Sequence, residues 1–190
     1  MVLKAFNLTR DMLDHGFAGM VAPDREKLLT CIQCGTCTAS CPTAYAMDYT
    51  PRQLWRLIQI GLREEALNSM TFWLCTSCYS CTIRCPRGIS LTETMAALKR
   101  LAMAEGVRGR DTQAKFYRAF YDTVRRHGRL HEVEFITLYS GSRPSDLLSK
   151  APLGLTLLRK GKMSLTARGV QSKQELDTIF RKAEELEGKR

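Results

Sequence analysis

Two copies of one cysteine motif constrain this chain more than any other feature. Cys31, Cys34, Cys37 and Cys41 follow the spacing C-x2-C-x2-C-x3-C and precede Pro42; Cys75, Cys78, Cys81 and Cys85 repeat it and precede Pro86. No cysteine is left over. Three thiolates two residues apart wrap the backbone around one corner of a 4Fe-4S cube, and the fourth, turned away by the proline, reaches a different cube. The expectation is two 4Fe-4S clusters with all eight cysteines as metal ligands.

If the crossed pattern of two-cluster ferredoxins applies, Cys31, Cys34, Cys37 and Cys85 hold the first cluster and Cys75, Cys78, Cys81 and Cys41 the second. The 33 residues between Cys41 and Cys75 then form a helical bridge. Structural zinc also uses C-x2-C pairs, but a four-ligand site is normally built from two separated pairs and leaves the third and fourth thiols of each motif unexplained. Disulfides rank below zinc, since neighbouring thiols stay reduced in the cytosol expected for this chain. Soft thiolates select iron-sulfur clusters, and four cysteines leave no open iron position, so the expected task is to move single electrons.

Other residues take smaller parts. Gly35, Thr36, Thr38, Ser40, Thr76, Ser77, Ser80 and Thr82 line the loops, either as donors to sulfur or as plain loop residues. Arg84 and Arg87 flank Cys85, where positive charge favours a reduced cluster. Trp73 and Tyr79 are expected to shield a cluster as core aromatics. His15, His127 and His131 lie outside the motifs and read as surface or core residues. No catalytic triad, phosphate-binding glycine loop or Rossmann fingerprint occurs, so no catalytic residue is assigned.

The periodicity is helical. Thr50-Pro51-Arg52-Gln53 is a capping box ahead of Leu54, Leu57, Ile58 and Leu62; Ser90-Leu91-Thr92-Glu93 repeats it ahead of Leu91, Met95, Leu98 and Leu101, with Gly106 as stop. Asp111 opens a helix carrying Phe116, Phe120 and Val124 that ends at Gly128, and Ser172 opens one carrying Leu176, Ile179, Phe180 and Ala183. Residues 140–170, broken by glycines and prolines, read as an extended arm or loop. Strand-like alternation is absent. The fold class is therefore mostly α, with an N-terminal segment (1–24), a two-cluster domain (25–106) and a basic helical and loop extension (107–190).

Charge divides the same way. Residues 1–98 carry 9 Lys and Arg against 8 Asp and Glu, whereas residues 99–190 carry 20 against 11. A basic half suits nucleic acid, an anionic membrane surface or an acidic protein such as a neighbouring subunit, or is a solvated helical surface with no dedicated partner, and composition ranks none of the partners first; the alternative to subunit docking is a redox-sensing or structural iron-sulfur protein that binds nucleic acid. Nucleic-acid modules and stacking motifs are not evident, and no apolar run reaches the roughly 20 residues of a membrane span. Arg10, Asp11 and Asp14 interrupt the place where a signal peptide needs its apolar stretch, so a cytoplasmic location is expected.

The stretches TCIQCGTCTASCP, YTPRQLWRLIQIGL, WLCTSCYSCTIRCP and RGISLTE resemble the C subunit of heterodisulfide reductase, closely over residues 25–105 and more loosely in RKGKMSLTARGVQSKQELDTIFRKAEE. The resemblance implies a helical ferredoxin fold with two 4Fe-4S clusters held by the eight cysteines. It also implies electron relay between the A and B subunits of heterodisulfide reductase, or their homologues, of which the first carries flavin and iron-sulfur groups and the second is catalytic. This chain would then be a non-catalytic member of an oxidoreductase complex, meeting any membrane only through its partners. Related fused chains append Cys-Cys-Gly domains or further cysteines, and this sequence has neither.

Overall fold

The computed structural model describes residues 8–106, 111–141, 144–166 and 169–187. Every regular element among them is helical, so the mostly α expectation holds. The chain divides into two compact units, residues 1–111 and 112–190.

In the first unit, α1 (Phe17–Val21) and α2 (Arg25–Leu29) precede the first cysteine loop, which contains α3 (Thr36–Ala39). The bridge is α4 (Pro51–Ile60) and α5 (Arg63–Leu67); the second loop contains α6 (Ser80–Ile83), and α7 (Leu91–Glu105) leaves it. The start of α4 follows the sequence signal: Pro51 supplies a helical φ where its missing N–H costs nothing, and the Gln53 side-chain oxygen accepts the Thr50 amide at 2.8 Å. The start of α7 departs from it. Ser90 makes no side-chain cap bond; the Thr92 amide is instead capped by the Thr82 hydroxyl, 3.0 Å away in the second cysteine loop. A distant cap has replaced the local one.

The apolar stripes form the core. Leu54, Leu57, Ile58 and Leu62 are buried, as are Leu91, Met95 and Leu98, with Trp55, Leu28 and Phe72 filling in around them. A fully buried side chain of this kind contributes roughly 1.5–3 kcal/mol, more than a surface ion pair gives. The segment 1–24, read from sequence as separate, supplies Phe17, Ala18 and Val21 to this core through α1, which packs on both α4 and α7. Its residues 1–7 lie outside the described residues.

Two devices set the angle of the chain around the loops. Asp48, just beyond the first loop, accepts the Met70 amide (2.8 and 2.9 Å) and the Thr71 hydroxyl (3.0 Å), pinning the exit of one loop to the approach of the other. Gly61 ends α4 with φ +83° and accepts the Asp14 amide at 2.8 Å. A Cβ there would stand 2.6 Å from the Asp14 carbonyl oxygen. Arg63 reinforces the join by pairing with both Asp14 (3.2 Å) and Glu105.

The second unit comprises α8 (Asp111–His127), α9 (Glu132–Ser140), α10 (Pro144–Arg159) and α11 (Lys173–Glu187). Phe116 of α8 meets Phe135 and Tyr139 of α9 edge to face, at 5.2 and 5.7 Å. Only part of the α11 stripe turns inward: Phe180 meets Tyr121 at 5.6 Å and Glu184 pairs with Arg125, whereas Ile179 and Ala183 are exposed. The extended arm expected over 140–170 is corrected, because α10 occupies its middle. Pro144 opens that helix, while Gly141 and Gly161 fall outside it. Only Pro152 and Gly154 interrupt a leucine-rich run, and the Pro152 carbonyl still accepts the Thr156 hydroxyl at 2.9 Å. Among the described residues no helix is long and apolar enough to cross a membrane.

Replacing Gly61 with alanine is expected to cost at least about 2 kcal/mol, since the left-handed φ alone costs roughly 1–2 kcal/mol and Asp14 must also move. Urea unfolding of the variant measures this, and a loss below about 0.5 kcal/mol would contradict the Gly61–Asp14 account.

Candidate metal centre

The two cysteine loops are built alike. Each places left-handed residues on either side of its second cysteine: Gln33 (φ +56°) and Gly35 (φ +83°) in the first, Ser77 (φ +54°) and Tyr79 (φ +60°) in the second. These turns reverse the chain around Cys34 and Cys78, and a single helical turn, α3 or α6, then carries the third cysteine. The next residue, Thr38 or Thr82, caps the second amide of the helix beyond: Thr38 takes the Arg52 amide of α4 and Thr82 the Thr92 amide of α7, each at 3.0 Å. Sequence reading allowed these threonines a part as sulfur donors or as plain loop residues. Their position directly after the third cysteine in both loops was the signal for their capping role.

The loops also meet each other. Helices α3 and α6 are in contact. Arg84 reaches Ser40 at 3.5 Å, and these residues hold the same place in their loops, one before the fourth cysteine. Arg87 reaches Thr30, at the mouth of the first loop, also at 3.5 Å. Such long bonds carry little energy; they mark where the two loops interlock.

One cavity lies at that junction. It is lined by Cys31, Cys34 and Cys37 of the first loop together with Cys85 of the second, and walled by Trp55, Pro86, Ile89, Leu91 and Arg52. Four soft donors around an apolar cavity fit a polynuclear iron-sulfur group. Among the described residues no three Cys, His, Asp or Glu side chains converge on one point as a single ion requires. Gln33 donates to Cys31 Sγ at 3.7 Å and to Gln59 at 3.1 Å, and Gln59 in turn donates to the Leu29 and Cys31 carbonyls, both at 3.3 Å. The first loop is thereby tied to α4.

The remaining four thiols are those of Cys41, Cys75, Cys78 and Cys81. Cys81 Sγ is 3.6 Å from the Thr92 hydroxyl, and Lys99 donates to the Cys75 carbonyl at 3.1 Å. Cys41 sits 3.5 Å from the Thr43 hydroxyl, which bonds the carbonyl of Leu74, the residue before Cys75, at 3.2 Å. The fourth cysteine of the first loop is thus carried toward the second.

As free thiols the cysteines are not equivalent. The Thr36 hydroxyl and amide hold Cys34 below the ordinary thiol range, and the Ser80 hydroxyl and amide do the same for Cys78. Burial pushes Cys37 up to about 11 against the opposing influence of the Thr38 amide and the Trp55 indole. Burial also raises Cys81.

Among the aromatics, Trp73 is buried against Phe72 with ring centres 5.1 Å apart. Tyr79, expected as a core aromatic, is 48% exposed. Its left-handed backbone, imposed by the loop turn, aims the ring outward. Trp55, which stands outside the α4 stripe read from the sequence, takes the shielding place instead. His15 is exposed; His127 contacts Glu134, and His131 contacts the Ser164 carbonyl at 3.0 Å, both far along the chain from the cysteines.

Residues 27–89 match the family model of the 4Fe-4S dicluster domain. Over its cluster-bearing part the chain is similar to the C subunits of heterodisulfide reductases. It is 37% identical over 110 residues to the iron-sulfur C subunit of the CoB–CoM heterodisulfide reductase of Methanopyrus kandleri, covering 55% of this chain and 57% of the relative. It is 44% identical over 86 residues to the C subunit of the ferredoxin:CoB-CoM heterodisulfide reductase of Methanosarcina acetivorans (45% and 34%). It is 42% identical over 81 residues to a protein of Archaeoglobus profundus described as like the heterodisulfide reductase C subunit (42% and 43%). The chain spans between 34% and 57% of the length of these relatives.

In iron-free protein at about pH 8, alkylation is expected to label Cys34 and Cys78 first and Cys37 last, because the lowered thiols carry more thiolate and the raised one almost none. Peptide mass spectrometry over time reads the order. Early labelling of Cys37 would contradict the burial argument.

Proposed function

We propose that this chain is an electron-transfer subunit of a heterodisulfide reductase-type oxidoreductase complex. One 4Fe-4S cluster is held by Cys31, Cys34, Cys37 and Cys85, and a second by Cys75, Cys78, Cys81 and Cys41. When bound, the clusters supply one-electron redox chemistry. The chain's own residues hold them, wall off water through Trp55, Pro86, Ile89 and Leu91, and offer N–H and O–H donors to the thiolates. The observation that carries this reading is a cavity lined by three cysteines of one loop and the fourth of the other.

Single electrons pass between the flavin-bearing, iron-sulfur A and the catalytic B subunits of heterodisulfide reductase, or their homologues, in the cytoplasm. Support for the partners comes from the relatives, each of which is named as a C subunit or as like one. The fully coordinating donor set supports a relay without substrate chemistry of its own. The basic second unit offers a surface for acidic partner faces, which steers association and sets its salt dependence.

Anaerobically isolated protein is expected to contain about eight iron and eight acid-labile sulfide per chain. Cys85→Ser should damage the cluster of the first loop and Cys41→Ser that of the second, read by paramagnetic resonance after reduction. Zinc in place of iron, or each serine variant losing the cluster of its own loop, would overturn the reading. Co-isolation with the A and B subunits tests the partners.

A further inference from the structure

Among the non-cysteine polar side chains that line the cavity, Gln33, Thr36, Arg52 and Trp55, only Trp55 is buried. Trp55 is 0% exposed, it lines the cavity beside Cys37, and its indole N–H is buried, makes no hydrogen bond of ordinary geometry, and lies close enough to the Cys37 thiol to oppose its upward shift. Leaving such a donor unpaired costs about 1–3 kcal/mol, so a buried indole usually finds an acceptor. Of the other donors near the first loop, Gln33 divides its amide between Cys31 Sγ and Gln59, and the Thr38 hydroxyl accepts the Arg52 amide and still has its own proton to give.

The internal repeat sharpens the point. Trp55 is the fifth residue of α4, and the fifth residue of α7, the matching helix after the second loop, is Met95. Met95 is equally buried and has no N–H to give. At this position only the first half of the repeat supplies a side-chain N–H donor.

We propose that Trp55 sets the reduction potential of the first cluster by donating its indole N–H to the sulfur of Cys37. The inference rests on the cluster reading above. A donor to a cysteinyl sulfur stabilises the more negative, reduced cluster and raises its potential. Trp55 is then a positioning and tuning residue. It places the first cluster higher than the same ligands alone would, and favours electrons residing on the Cys31, Cys34, Cys37 and Cys85 side of the pair.

The test is a redox titration of the anaerobic holoprotein, monitored by paramagnetic resonance, for wild type and Trp55→Phe. The phenyl ring keeps most of the packing and removes the donor. At a fixed solution potential the reduced-to-oxidised ratio of the first cluster should fall roughly three- to tenfold, tenfold corresponding to 59 mV for one electron. The second cluster should not move, and Trp55→His, which restores a ring N–H, should recover part of the shift. An unchanged first cluster, or an equal shift of both, would overturn the proposal. Should Trp55→Phe lose its iron, wild-type holoprotein carrying indole-¹⁵N tryptophan decides. A ¹⁵N coupling to the reduced first cluster supports the donor, and its absence overturns it. Wild-type protein that assembles no 4Fe-4S cluster would instead overturn the proposed function.

Discussion

The rest of the first unit depends on one geometric requirement: Cys85 stands in the wall of a cavity whose other thiols come from a loop more than forty residues earlier. A local motif cannot satisfy this by itself. The chain leaving the first loop must return to the second at a fixed angle. Asp48 pins the two approaches, the short helices α3 and α6 pack together, and the bridge of α4 and α5 spans the gap. The capping pattern serves the same end. By taking their caps from Thr38 and Thr82, α4 and α7 begin only where the loops place them. Helix start and loop closure are one event.

Energetically the scaffold is an apolar core with polar joints. Trp55, Ile58, Phe72, Leu98 and Phe17 are fully buried, and their summed transfer free energy outweighs the ion pairs at the surface. The polar joints give direction. Gly61 and Asp14 dock α1 against the bridge, and the Gln33–Gln59 pair ties the first loop to α4. The same burial that shields the cavity keeps the Cys37 thiol protonated in the metal-free chain, so metal binding there must displace a proton.

Much of this was legible in the sequence because it is periodic or local. The cysteine spacing, the α4 capping box, the apolar stripes of α4 and α7, and the stop at Gly106 all depend on residues within a few positions of one another. What was not legible depends on contacts made at a distance. Ser90 carries the sequence signature of a cap and makes no side-chain cap bond, because Thr82 reaches the helix first. Tyr79 looks like a shielding ring, but the turn around Cys78 gives it a left-handed backbone and turns it to solvent. Trp55 stands outside the α4 stripe read from the sequence, and only the fold places it beside Cys37. The helix α10 is hidden in the sequence because proline and glycine at a helix end do not break it, and Gly141, Pro144 and Gly161 all fall at its ends or beyond.

The central claim is that the two loops interlock to hold two clusters side by side in one small unit, and its most direct measurement is the magnetic interaction between them. Paramagnetic resonance of the fully reduced holoprotein should show a spectrum broadened by spin–spin coupling and integrating to about two spins per chain, which sharpens when only one cluster is reduced. A spectrum integrating to a single spin, or two sharp signals that do not sense one another, would contradict the account.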